Sequence, residues 1–164
     1  MIRAEVRWLQ VEALTGYQKL IGELQVRGVL REMLNDPEPY IRMRSLSTEP
    51  LQPGAPKLSG VPSGTVNKLF IGAVASLGEE PLPPDEQIEK NRQFTLVQGT
   101  SFTVRGYAEF PPAADPALHG DMLLKARFFN LVEATVQAVG TDAPGWQRPS
   151  VWVNRDQVVG LYLG

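Results

Sequence analysis

The chain contains no cysteine and a single histidine, His119. Without thiols it forms no disulfide, holds no thiolate metal site or iron–sulfur cluster and offers no cysteine nucleophile. One histidine excludes a multi-histidine metal cage. No apolar run reaches the about 18 residues of a membrane span. The first ten residues carry Arg3, Glu5 and Arg7 where a signal peptide needs an apolar centre. These absences lead to the expectation of a soluble, cytoplasmic protein with no membrane partner. An excess of positive charge is missing as well. Sixteen Lys and Arg stand against 18 Asp and Glu, a formal net charge of -2, so only a local patch could draw the molecule to nucleic acid. The local signatures of catalysis are missing too: there is no Gly-x-Ser-x-Gly, His-Glu-x-x-His, P-loop or Gly-x-Gly-x-x-Gly. No cofactor and no metal are expected.

What remains is 164 residues of ordinary globular composition, 43% hydrophobic and 21% charged, and sliding the chain against itself reveals an internal duplication. Thr65-Val66-Asn67-Lys68 reads like Trp152-Val153-Asn154-Arg155, each with Val-Asn followed by a cation. Leu20-Ile21-Gly22-Glu23-Leu24 lines up with Val104-Arg105-Gly106-Tyr107-Ala108, and Tyr40 to Leu46 with Phe128 to Ala134. The matches are collinear, with offsets drifting only from 84 to 88, which small surface insertions explain. Repeat one is read as residues 4–77 and repeat two as 92–164. Between them, 78–91 holds three prolines and five acids, the composition of an exposed linker, with one helical turn allowed over 84–90. Pro/Gly-rich stretches at 49–64 and 139–149 read as long loops in equivalent places.

Within each repeat the period is that of strands. Phe102, Val104, Gly106, Ala108 and Phe110 alternate with Thr103, Arg105, Tyr107 and Glu109, and Leu20, Gly22, Leu24 and Val26 with Lys19, Ile21, Glu23 and Gln25. A glycine recurring in mid-strand points to a bend or bulge. Earlier strands are expected at 5–14 and 93–98, third strands at 40–46 and 128–136, and last strands at 65–77 and 150–163. After each bent strand comes a stretch of helical spacing, 28–36 and 117–124, in which Leu30, Met33 and Leu34 share a face. The expected fold is therefore mainly β: two tandem small barrels from a duplication, pseudo-twofold, each with a short helical insertion after its second strand.

This strand order, the glycine in the second strand and the motif near the end of each repeat resemble the Sm-like family, a small SH3-like barrel of five bent antiparallel strands. Phe128-Phe129-Asn130-Leu131 fits the aromatic, apolar, Asn and apolar positions of the first Sm motif, with Ala126 where the family has an acid. Tyr40-Ile41-Arg42-Met43 keeps the aromatic and places Arg42 at the asparagine position, with Glu38 at the acid. Where the second Sm motif carries Arg-Gly, this chain has Asn67-Lys68 and Asn154-Arg155.

The polar candidates lie on and beside the third strands. Arg42 and Arg44 alternate with Ile41 and Met43, and Lys125 with Arg127 occupies the same region of repeat two. With Tyr40, Phe128 and Asn130 they would suit a phosphate and a stacked base. The competing reading has the arginines lying over an outer face, paired with Glu32, Asp36 or Glu38, and the aromatics covering a barrel end. His119 is expected to be exposed or to cap, and Trp8, Trp146 and Trp152 to pack, with an exposed anchor at a protein interface as the alternative for Trp146. Two functional classes stay open: a non-enzymatic binding or assembly module that self-associates or takes a protein partner, and a single-stranded RNA or other nucleic-acid binder. An enzyme acting on a small acidic metabolite between the repeats is a third, for which no catalytic constellation is visible.

Overall fold

In the computed structural model, which describes residues 5–78, 90–140 and 145–164, the alternating runs become antiparallel strands. β1 (Val6–Leu14), β2 (Gln18–Arg27), helix α1 (Leu30–Asn35), β3 (Tyr40–Pro50), β4 (Val61–Asn67), a 3-10 turn (Lys68–Phe70) and β5 (Ala73–Ser76) follow in order. The same order then recurs: β6 (Asn91–Gly99), β7 (Phe102–Phe110), α2 (His119–Leu123) after a 3-10 turn, β8 (Phe128–Ala138), β9 (Trp146–Asn154), a 3-10 turn (Arg155–Gln157) and β10 (Val158–Leu163). The expected linker, with its helical turn, falls almost wholly on 79–89, outside the described residues, as do 141–144 of the expected long loop.

Registers recur with the elements. Val11 faces Gly22 as Thr95 faces Gly106, at an offset of 84. Tyr40 faces Asn67 as Phe128 faces Asn154, at offsets of 88 and 87. The mid-strand glycines sit where a bulge was expected. The β2–β3 register shifts between Ile21 and Glu23, and β7–β8 shifts between Arg105 and Tyr107. The extra residue on the facing strand is Ser45 or Glu133, at φ 51° and 49°, a left-handed conformation that bends the strand sharply. The bend presses the facing backbone onto the glycine. A Cβ on Gly106 would stand 2.8 Å from the Val132 carbonyl oxygen, and one on Gly22 would stand 3.0 Å from that of Arg44.

Two tandem small barrels, closed or partly open, were expected, and the strands join instead into one sheet. One open antiparallel sheet of ten strands forms, in the order β10-β6-β7-β8-β9-β5-β1-β2-β3-β4. β5 pairs on one side with β1 and on the other with β9, so the two halves share a continuous ladder. The expected last strands also divide: the 3-10 turns at 68–70 and 155–157 break each into two strands that join different neighbours. In the supposed loop at 49–64, β3 continues to Pro50 and β4 begins at Val61. Pro62 is tolerated there because β4 is an edge strand and one side of it needs no ladder bonds.

The apolar side chains form two clusters, stitched together at the junction. Phe128 of β8 is fully buried in the cluster otherwise built from β1 to β5 and α1, with Trp152 of β9 packed against it. Leu14, Ala73 and Ala75 from the first half are buried in the cluster built around Val97, Phe102, Phe110 and Leu131. The expected core residues Ile41, Met43, Phe129 and Leu131 are all buried.

Candidate interaction surfaces

The junction between the halves is the most specific polar arrangement in the molecule. Ala73, Val74 and Ala75 of β5 face Val153, Trp152 and Val151 of β9, and the Asn154 amide donates to the Gly72 carbonyl at 2.9 Å. Asn154 is fully buried. Its Nδ2 donates to the carbonyls of Lys68 (3.1 Å) and Ile71 (2.8 Å), while its Oδ1 accepts from the Asp156 amide at 2.9 Å. One side chain thus caps its own 3-10 turn and satisfies two carbonyls of the other half. Gln157 Nε2 adds a bond to the Leu69 carbonyl at 2.7 Å. Helix α1 closes the end of the joint, because Asn35 imitates a strand: its Oδ1 accepts from the Phe128 amide (2.8 Å) and its Nδ2 donates to the Phe128 carbonyl (3.1 Å).

A second polar cluster crosses the same joint. Glu12 of β1 accepts from Arg148 Nε of β9 at 2.6 Å and pairs with Lys19 Nζ of β2 at 3.3 Å. Lys19 in turn lies over the Trp146 ring, 4.3 Å from its centroid.

The cation that follows each Val-Asn has a structural task. Lys68 is fully buried, and its Nζ donates to the Met33 carbonyl (2.7 Å) and the Asp36 Oδ1 (2.7 Å) at the end of α1. Arg155 donates from one guanidinium nitrogen to the Leu124 and Lys125 carbonyls, both at 3.1 Å, just beyond α2. Each cation compensates the unpaired carbonyls of a helix C-terminus. Asn67 caps its own turn as Asn154 does, accepting from the Leu69 amide at 2.9 Å.

The seven side chains singled out on the third strands do not come together. Tyr40, Arg42 and Lys125 are exposed. Arg44 stands 4.1 Å over the Trp8 ring and pairs with Glu23 at 3.1 Å, so its carboxylate partner comes from the neighbouring strand rather than from Glu32, Asp36 or Glu38. Arg127 approaches Asp156 at 3.8 Å. Phe128 is sealed in the core and shows no ring face to solvent. Asn130 donates to Ser150 Oγ at 2.6 Å. It lies in a groove between the halves with Arg31, Asn35, Glu133 and Trp152. Four cations, Arg31, Lys90, Arg92 and Arg148, line that groove against two carboxylates; Arg92 meets both of these, Glu133 at 3.1 Å and Glu109 at 3.4 Å, and the hydrogen bond to Glu133 holds its guanidinium above the ordinary arginine value.

His119 is buried rather than exposed. Its ring stacks on Phe110 with centroids 3.6 Å apart, and Nδ1 meets Gln93 Oε1 at 2.5 Å. Among the described residues, no group of three His, Asp or Glu is placed to hold a metal ion. No helix among them is long and apolar enough to cross a membrane.

The two outer edges of the sheet remain. Among the described residues, β4 pairs only with β3, and β10 only with β6. Neither strand contains a charged residue, and around them Tyr40, Leu69, Phe70, Val159 and Tyr162 are exposed. Edges are commonly blunted by charge, by proline or by bulges; here Pro62 lies in β4 and a register shift in β10, and neither edge carries a charge. Compared against protein-family models, curated proteins and solved structures, the chain matches none of them.

Proposed function

We propose that the chain is a non-enzymatic assembly module, a duplicated small barrel of the Sm-like type opened into one sheet, which works by adding partner strands to its edges. The observation that carries this reading is the pair of uncharged, open edge strands β4 and β10 in a sheet whose interior already joins two halves strand to strand. Main-chain pairing supplies affinity in such contacts, and flanking side chains supply specificity. No cofactor enters this reading.

The nucleic-acid reading needs a stacking ring beside free cations. Phe128 is buried, Arg44 and Arg127 face carboxylates and Asn130 faces Ser150, which leaves Tyr40, Arg42 and Lys125 as the exposed members of the set. The test is retention of a mixed short RNA and DNA library at low and at physiological salt, with an Arg42→Ala/Arg44→Ala variant alongside. The assembly reading expects no retention that depends on these residues. Binding that falls steeply with salt, because phosphate contacts release counterions, and that is lost in the variant overturns it.

A further inference from the structure

The partner of the open edges can be read from the joint already inside the molecule. β9 with the residue after it carries Pro149-Ser150-Val151-Trp152-Val153-Asn154-Arg155, and β4 with the residue after it carries Pro62-Ser63-Gly64-Thr65-Val66-Asn67-Lys68, at a constant offset of 87. β5 and β10 correspond at the same offset, since Val74 faces Ala13 as Leu161 faces Val97. The strand that β9 presents to β5 thus has a counterpart in β4, and the strand that receives it has a counterpart in β10. In the first half the receiving edge is occupied. In the second it is open, and so is the presenting edge of the first.

We infer that β4 of one copy pairs with β10 of a second copy, head to tail, in the register of the β5–β9 joint. Translating that joint places Val66 opposite Gly160, Thr65 opposite Leu161 and Gly64 opposite Tyr162 of the second copy. The Asn67 amide then meets the second copy's Val159 carbonyl. Asn67 Nδ2 bridges that copy's Arg155 and Val158 carbonyls, as Asn154 Nδ2 bridges Lys68 and Ile71. Asn67 already holds its Oδ1 in the cap that orients Asn154 for this task. Pro62 ends the ladder where Pro149 ends it inside the molecule, beyond three paired residues. Tyr40, the counterpart of Phe128, stands 48% exposed where Phe128 is 0% exposed, the difference expected if the covering element comes from another molecule. The contact is heterologous, each copy offering a different edge at each end, so it propagates into a ring or a filament.

This inference rests on the assembly reading and narrows its partner to a second copy. The experiment uses the full chain and measures mass against concentration by sedimentation velocity, for the wild type, Asn67→Asp and the pair Gly64→Cys/Tyr162→Cys. The wild type is expected to sediment as multiples of 18.1 kDa in proportions that rise with concentration. Asn67→Asp keeps the cap oxygen but turns the bridging amide into a carboxylate facing two carbonyls. It is expected to weaken association by about 10- to 100-fold, two hydrogen bonds being lost, with an unchanged far-ultraviolet circular dichroism spectrum. The chain has no cysteine of its own, so oxidation of the double variant is expected to link copies through Cys pairs at cross-strand distance. A wild type that stays monomeric at all concentrations overturns the inference and leaves the edges for a different protein partner. Association without linkage of the double variant overturns the register. Salt-dependent oligonucleotide binding lost on replacing Arg42 and Arg44 overturns the assembly reading itself.

Discussion

Replacing Asn154 by alanine is expected to cost far more than the same change at Asn67, although the two residues stand in matching sequence contexts. Asn154 is fully buried and makes three side-chain hydrogen bonds, to the carbonyls of Lys68 and Ile71 and from the amide of Asp156. The alanine variant leaves the buried Ile71 carbonyl unpaired, takes one of two donors from the Lys68 carbonyl, which still accepts from the Ile71 amide at 3.2 Å, and removes the cap from the Asp156 amide. Each unsatisfied buried group costs about 1–3 kcal/mol. Partial relaxation brings the sum to about 3–5 kcal/mol. Asn67 makes one such bond, to the Leu69 amide near the surface, and its loss costs about 1 kcal/mol, as for an ordinary helix cap. Urea unfolding at a fixed, dilute protein concentration separates the two. With a denaturant slope of about 2 kcal/mol per molar, Asn154→Ala lowers the midpoint by about 2 M and Asn67→Ala by about 0.5 M. Equal shifts, or a shift under about 0.5 M for Asn154→Ala, would refute the claim that this side chain holds the halves together.

Three further outcomes follow from the same geometry. Gly106→Ala, which drives a Cβ to 2.8 Å from a backbone oxygen, is expected to destabilise by about 1–3 kcal/mol. Gly16→Ala, with open space around it, should stay within about 0.5 kcal/mol of wild type; thermal melts of both variants check this. Lys68→Ala removes a fully buried ammonium from two carbonyls and Asp36 and is expected to cost about 3 kcal/mol, whereas Lys68→Met, which fills the same volume without a charge, should cost clearly less. Equal losses would place the role of Lys68 in its charge and hydrogen bonds alone. Glu12→Ala leaves Lys19 and Arg148 without their shared carboxylate and is expected to cost about 3 kcal/mol, read by the urea midpoint, with an unchanged circular dichroism spectrum before the transition.

Much of the strand framework was legible because burial imposes its period directly on the residues. β7 alternates over its whole length and β2 from Gly22 to Arg27, and the glycine in each marks the bulge. The helical stretches after them were legible from the spacing of Leu30, Met33 and Leu34. The break between β4 and β5 was not, because Val66 to Ala75 is almost continuously apolar in pattern. The interruption is made by an asparagine cap and a 3-10 turn, and composition alone does not distinguish these from strand. The same holds for β9 and β10. The start of β4 was hidden by Pro62, which reads as a loop unless the strand is already known to be an edge. The repeated Pro-Ser at 62–63 and 149–150 was the available signal. Whether the barrels close was not legible for a different reason: whether an edge pairs with its own repeat or with the next depends on backbone geometry, which leaves no mark on hydropathy.

The candidate site was less legible than the fold. Alternation placed Arg42 and Arg44 on one face, but it could not reveal that Glu23 stands beside Arg44 on the next strand or that Trp8 lies beneath it. Phe128 looked like a surface aromatic because its neighbours Lys125 and Arg127 are charged, yet α1 from the other half covers it through Asn35. The cations in the Val-Asn-Lys and Val-Asn-Arg motifs were visible as a repeat, whereas their task at the helix ends depends on contacts more than 30 residues away.

The central claim is that β4 and β10 are built to be paired by strands from another molecule. Hydrogen exchange of the backbone amides in 61–67 and 158–163, followed as protein concentration is raised, tests it most directly. The expected result is protection that rises in both segments together and is reduced in both by Asn67→Asp. Exchange in both edges that stays fast and independent of concentration would contradict pairing between copies.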